Sequence, residues 1–363
     1  MMIKSRKKRI ITEFVFIIAA IAAVLFFGKE CSDGAVKGIY YCLNVLVPSI
    51  FPFMVIAVFT AESGVSQKLG KVTCGLCERL FGVSGKLSAV IIMSMIGGYP
   101  VGARGISALR NSGEISSDEA AKAAYFAVGA GPGFLVTFVG TNLLSCPEVG
   151  FCMLAAQILS VIILGVMNKL LFGKNNSYNS NKEIYNSSTS FTSALTEAVI
   201  SATYGMLEMC GMVVIFSAII SVTERLSGDM RVYLSILLEV TTACNTLSEN
   251  NSVLLIAFAV GFGGLCVHFQ IFTALKNVNF NKGLFFLFRI MQGLITALLT
   301  ELFIKLFRIS LPVFSSVDNT PELSLSSSVI GSAMLIICGV GFLFNIKKLG
   351  GKYVRNSRVN RQV

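Results

Sequence analysis

The 363-residue chain is 13% charged and 54% apolar, with a mean hydropathy of +0.75, whereas an ordinary soluble domain carries about 25% charged residues. This composition excludes a cytosolic enzyme, a secreted disulfide scaffold and a disordered protein, and it fits a polytopic membrane protein. The net charge of +11 is therefore read by position, as a marker of cytoplasmic ends, and nucleic acid is not expected as a partner.

The first apolar run, 10–28, matches the ~20 residues that cross a bilayer and follows Lys4, Arg6, Lys7, Lys8 and Arg9. It is expected as an uncleaved span with a cytoplasmic N-terminus, because Phe26-Phe27-Gly28-Lys29-Glu30 offers no small-residue cleavage context. Seven further runs follow at 36–62, 118–144, 149–172, 204–222, 251–275, 283–307 and 329–344, for about eight spans. Segments 86–111 and 231–250 are apolar at their ends but interrupted by Gly97-Gly98-Tyr99-Pro100-Val101-Gly102 and by Glu239 to Asn245. A continuous helix through either would hold glycine pairs, a proline or a carboxylate at mid-membrane, so both read as re-entrant hairpins. An even span count returns both termini to the cytoplasm, in agreement with the basic tail 347–363.

The fold class expected is thus an all-α polytopic membrane protein in two halves, 1–172 and 194–346, joined by a polar cytoplasmic connector at 173–193. Leu69, Val72, Leu76 and Leu80 recur at helical spacing among Lys68, Lys71 and Arg79, which predicts an interfacial helix over 65–80, with 192–208 as its counterpart. Cys74 and Cys77 form a CxxC without a second pair, so no metal, cofactor or obligatory disulfide is expected.

Each half contains a hairpin and then a helix broken by glycine, at 117–145 through Gly129-Ala130-Gly131-Pro132-Gly133 and at 251–276 through Gly261-Phe262-Gly263-Gly264. Hairpins entering from opposite sides make an inverted-topology repeat, in which substrate and ions bind between discontinuous helices. Broken helices free backbone groups that only protein or a ligand can satisfy at membrane depth. The candidate substrate-binding residues are therefore Tyr99, Pro100, Arg104, Gly131, Pro132, Thr137, Thr241, Thr242, Asn245 and Gln270. Ionisable groups inside spans are costly, which singles out Glu239, His268 and Arg289 as ion-coupling candidates, with Glu239 protonated, paired to either of the other two, or bound to a cation.

At Gly97 to Arg104, Ala130 to Phe134 and Gly261 to Gln270 the chain resembles the YlbJ-type sporulation integral membrane proteins, of the nucleoside-recognition (Gate domain) family. The resemblance implies an endospore-forming bacterium, a place in the cell membrane or the forespore outer membrane, and a role in forming the spore cortex. Gate-domain proteins are similar to concentrative nucleoside transporters, whose re-entrant hairpins form the substrate site.

The expectation is a transporter-like protein of sporulation that moves a small polar solute, with a nucleoside-like molecule as one candidate, by alternating access. Its partners would be the lipid bilayer, that solute, Na+ or H+ as coupling ion, and a second copy of the chain. The alternative is a non-transporting scaffold for cortex-building proteins. An enzyme is not expected, since the chain has neither GxSG, HExxH nor GxGD and a single histidine, His268.

Overall fold

The computed structural model describes residues 24–309 apart from 64, 174–189 and 224–227, together with a few positions between 14 and 22. The spans expected at 10–28 and 329–344, the connector and the basic tail fall wholly or largely outside the described residues. The chain is all-helical, with no strand among the described residues. In chain order the helices are α1 Gly28–Glu62, α2 Val65–Phe81, α3 Leu87–Gly97, α4 Tyr99–Asn111, α5 Ser117–Phe126, α6 Gly133–Leu143 and α7 Pro147–Phe172. They continue as α8 Phe191–Val222, α9 Gly228–Leu238, α10 Val240–Ser248, α11 Val253–Phe262, α12 Gly264–Ala274 and α13 Lys282–Leu306. Among the described residues, five candidate spans are long and apolar enough to cross a bilayer: α1, α7, α8, α13 and the pair α11–α12.

The surface is apolar where a soluble protein would be polar. On α13, Leu287, Ile290, Leu294, Leu298, Leu302 and Leu306 form an exposed stripe, while Arg289, Gln292, Thr296 and Thr300 on the opposite face are fully buried. Such inside-out amphipathicity is stable only when the solvent around the stripe is hydrocarbon.

α1 and α8 pack along each other in opposite directions. Gly34 lies against Ser217 and Ser221, Gly38 against Val214 and Ser217, and the ring of Phe59 meets that of Phe191 at 5.1 Å. A Cβ on Gly34 would sit 2.6 Å from the carbonyl oxygen of Ser217, so the small residues are what lets the two backbones approach. α7 and α13 are also antiparallel, since Gln157 meets Thr296 while Phe172 and Phe288 both meet the ring of Tyr125.

The interruptions are sharper than the sequence suggests. In the first hairpin only Gly98 leaves the helical path, with φ of 82°, and Pro100 sits in the first turn of α4, where its missing N–H costs nothing. α3 and α4 then fold back on each other, with Gly102 against Ser94 and Gly105 against Val90. In the second hairpin the break is Glu239 alone, and the helix resumes at Val240. α5 begins with a capping box, Glu119 N–H donating to Ser116 Oγ at 3.1 Å and Ser116 N–H to Glu119 Oε2 at 3.0 Å.

One expectation is corrected. Residues 192–208 do not form a separate interfacial helix but are the first turns of α8, because Ala194, Ala198, Ala202 and Gly205 make a continuous small-residue stripe buried in the protein. α2 agrees with its expected amphipathic character, presenting Val65, Leu69, Val72 and Leu76 outward while Gly70 packs on α3 through the hydroxyl of Ser88.

Candidate functional site

Both hairpin tips, the break between α5 and α6, and the part of α12 just past the second break meet at one cleft. Gly97, Gly98, Tyr99 and Pro100 come from the first hairpin tip; Ala130, Gly131 and Gly133 from the break between α5 and α6; Glu239, Val240 and Thr241 from the second tip; Cys266, Val267 and Gln270 from α12. The remaining walls are apolar, from Leu46, Ile50 and Phe53 of α1 and Met209 and Val213 of α8. The two π-helical stretches among the described residues, Cys42–Leu46 in α1 and α6 itself, contribute Leu46 and Gly133-Phe134 to the lining.

Backbone contact fixes each tip against its break. A Cβ on Gly131 would lie 2.8 Å from Ile96 O and 3.0 Å from Gly98 N, and one on Gly264 would lie 3.2 Å from Leu238 O and 3.3 Å from Glu239 N. Only glycine allows these approaches. The hydroxyl of Tyr99 donates to the carbonyl of Val260, which ties the first tip to the end of α11.

Glu239 is the N-cap of α10. Its Oε1 accepts from Thr241 N–H at 2.8 Å, and its Oε2 accepts from Thr242 N–H at 2.6 Å and from Thr242 Oγ1 at 2.8 Å. The partial positive charge of the helix end, with these three donors, holds a carboxylate that is otherwise 1% exposed. Glu239 is therefore partnered by a helix terminus, and not by Arg289 or His268 as the sequence suggested.

Arg289 is directed elsewhere. Its guanidinium donates to Val128 O at 2.5 Å, to Gly261 O at 3.0 Å and to Gln292 Oε1. Val128 and Gly261 are carbonyls at the ends of α5 and α11, so one cation satisfies acceptors freed by both broken helices. His268 is fully buried, with Nε2 2.9 Å from Phe262 O and its ring edge-on to Phe262, Phe285 and Phe286. It locks α12 to α11 and does not reach the cleft.

Of the other candidates, Tyr99, Pro100, Gly131, Thr241 and Gln270 line the cleft, and Pro132, Arg104, Thr137, Thr242 and Asn245 do not. Arg104 Nη2 donates to Glu208 Oε2 at 2.6 Å on a half-exposed face between α4 and α8, because its position one turn past the tip carries it away from the cleft. Thr242 is occupied by Glu239. Gln157, Gln292, Thr296 and Thr300, all buried, were missed by the sequence reading. For Gln292, Thr296 and Thr300 the signal is the helical spacing of polar residues from Arg289 to Thr300 inside an apolar run.

The fold and cleft are those of a polytopic helical membrane protein with a site built at helix interruptions. The chain is 22% identical over 332 residues to the sporulation integral membrane protein YlbJ of Bacillus subtilis (strain 168), covering 80% of this chain and 81% of that protein. The similarity agrees with the YlbJ-type resemblance carried by the hairpin and break residues. No family model matches the chain, and no solved structure matches it.

Proposed function

We propose that the protein is a transporter-like membrane protein of sporulation that binds a small, partly polar solute in this cleft and moves it by alternating access. The observation that carries the reading is the convergence of both hairpin tips, the first helix break and the start of α12 beyond the second break on one cleft. At membrane depth, irregular backbone is tolerated where it lines a cavity, and substrate sites of secondary transporters lie there.

An inverted repeat of eight spans with re-entrant hairpins is supported by the order of elements, which, apart from α2 in the first half, is shared by both halves: long helix, hairpin, broken helix, long helix. It is further supported by the opposite directions of α1 against α8 and of α7 against α13. The hairpin arms agree, with α4 packing on α12 of the other half and α10 packing on α6.

The lining favours a solute with an apolar body and one polar end. Leu46, Ile50, Phe53, Phe134, Met209, Val213 and Val267 offer contact area, while Thr241, Gln270 and backbone at the breaks offer hydrogen bonds. A nucleoside-like molecule has that division. The role in spore cortex formation comes from the resemblance, and the reading involves no catalysis.

Binding and uptake by the purified protein in liposomes, across nucleosides, amino acids and cell-wall precursors, tests it. Saturable uptake of a panel member, reduced by a bulky substitution at Val213 or Ile50, is the expected result. Absence of binding to every panel member by well-folded protein would favour the scaffold alternative.

A further inference from the structure

We propose that a solute enters the cleft between α4 and α8, and that the ion pair of Arg104 with Glu208 is the latch that closes this route. The proposal rests on the reading of the cleft as a site served by alternating access.

The pair sits at one end of the cleft. Ile50 and Phe53 of α1, Tyr99 and Pro100 of α4, and Met209 and Val213 of α8 line the cleft itself. One turn further along the same three helices come Met54, Arg104 and Gly205, and they meet: a Cβ on Gly205 would lie 2.8 Å from Arg104 Nη1 and 2.8 Å from Met54 Cε. Met54, Ala103 and Met206 in this layer are buried. α1 and α8 are held together by their glycine seam, but the backbone packing of α4 on α8 is slight. Arg104 joins them instead, donating from Nη2 to Glu208 Oε2 at 2.6 Å and from Nη1 to Ser201 O at 3.4 Å.

Exposure gives the side from which this layer is reached. Glu208 lies near the middle of α8, yet the Arg104 and Glu208 side chains are 36% and 39% exposed. Hydrocarbon does not solvate a half-exposed ion pair at that depth, so water must reach it. Polar residues continue from the pair toward the near ends of both helices, with Ser107 and Asn111 following Arg104 on α4 and Ser201 and Glu197 preceding Glu208 on α8. Their helical spacing keeps each set on the face of its charged residue, and all four are at least partly exposed. A wet track thus ends at the ion pair, one turn short of the cleft. The modest strength of such a pair suits a latch: an exposed ion pair shifts an equilibrium by up to about fivefold, which biases the closed state without locking it.

The test uses native Cys266, which lines the cleft, as its reporter. Full-length protein in lipid nanodiscs is treated with a small water-soluble methanethiosulfonate, and modification of Cys266 is followed by peptide mass spectrometry. Arg104→Gln and Glu208→Gln should each speed it about three- to fivefold, and the double exchange Arg104→Glu with Glu208→Arg should return the rate to that of the unaltered protein. Lys305→Gln, which breaks the exposed pair with Glu301 on α13, should leave it unchanged. Single variants that label at the unaltered rate, or a charge exchange as fast as the single variants, would overturn the latch. Should the variants not fold, the unaltered protein decides. Salt screens a half-exposed pair, so Cys266 modification relative to that of the partly exposed Cys31 should rise between low salt and ~1 M, and a constant ratio refutes the latch. The latch and the transport reading fail separately. Faster Cys266 labelling in the single variants without uptake of any panel member upholds the latch and counts against transport, whereas saturable uptake with labelling unchanged in both counts against the latch alone.

Discussion

Arg289 and Val128 lie 161 positions apart, and the guanidinium of the first donates to the carbonyl of the second at 2.5 Å. The same group reaches Gly261 O at 3.0 Å, so a single buried side chain stitches together a carbonyl of the break after α5 and one in the last turn of α11. A lysine has one compact ammonium and cannot span both oxygens. Arg289→Lys is expected to destabilise the protein by about 3 kcal/mol, taking roughly 1.5 kcal/mol for each charged hydrogen bond lost. Thermal unfolding in detergent measures this, and an unchanged midpoint would mean that the breaks are held by packing alone.

Gly131→Ala should be disruptive because its Cβ would meet the backbone at Ile96 O and Gly98 N, atoms that no rotamer change can move. The expected loss is ~1–3 kcal/mol from overpacking, with the first hairpin tip displaced from the break. Gly211→Ala on α8, where an added Cβ meets nothing within 4 Å, is expected to be neutral or slightly stabilising. Equal unfolding midpoints for the two variants would argue against the close approach.

Glu239→Gln keeps one acceptor for the α10 N-terminus but removes the charge that complements it, so the cost in stability should be about 1 kcal/mol and the protein should still insert. On the proposed function, solute binding or sporulation should nevertheless fail, because Glu239 lines the cleft. Glu62→Gln, at the exposed end of α1, should change neither. Full function in Glu239→Gln with normal accumulation would exclude a role for this carboxylate.

The exposed leucines of α13 provide a direct test of the surrounding solvent. Leu298 is 65% exposed near the helix centre, and Leu298→Arg should reduce membrane-inserted protein through a penalty of roughly 2.5–3.5 kcal/mol. Leu306→Arg, in the last turn of α13, should be accepted because the side chain can extend to the interface. Membrane fractionation of the two variants, quantified against the unaltered chain, gives the comparison.

Cys77 on α2 is 4% exposed, and burial, with Cys74 and Glu78 nearby, pushes its thiol up to about 12. The thiol is thus neutral through pH 7–9, and the stability its burial contributes is present below the ordinary thiol range, near 8.5, and lost as pH rises toward 12. Maleimide labelling of Cys77 at pH 7 should be slow in the folded protein and fast in denaturant. Rapid labelling of the folded form would show α2 detached from α3.

Much of the architecture is determined by local chemistry. Apolar length set the spans α7 and α13, and Gly98, Pro100 and the paired Gly263-Gly264 set where helices stop, because backbone geometry at those positions depends on the residue itself. The same logic predicted that the breaks would matter and named Tyr99, Gly131, Glu239, Thr241 and Gln270, which share the cleft. Partnership was decided by the tertiary structure. Glu239, Arg289 and His268 look alike in sequence, as ionisable residues in apolar runs, but one caps a helix, one bridges two broken ends and one packs among phenylalanines. Nothing local distinguishes these fates, since a buried polar group takes whichever oppositely polarised partner the folded chain brings within about 3 Å, and for Arg289 those partners are carbonyls far along the chain.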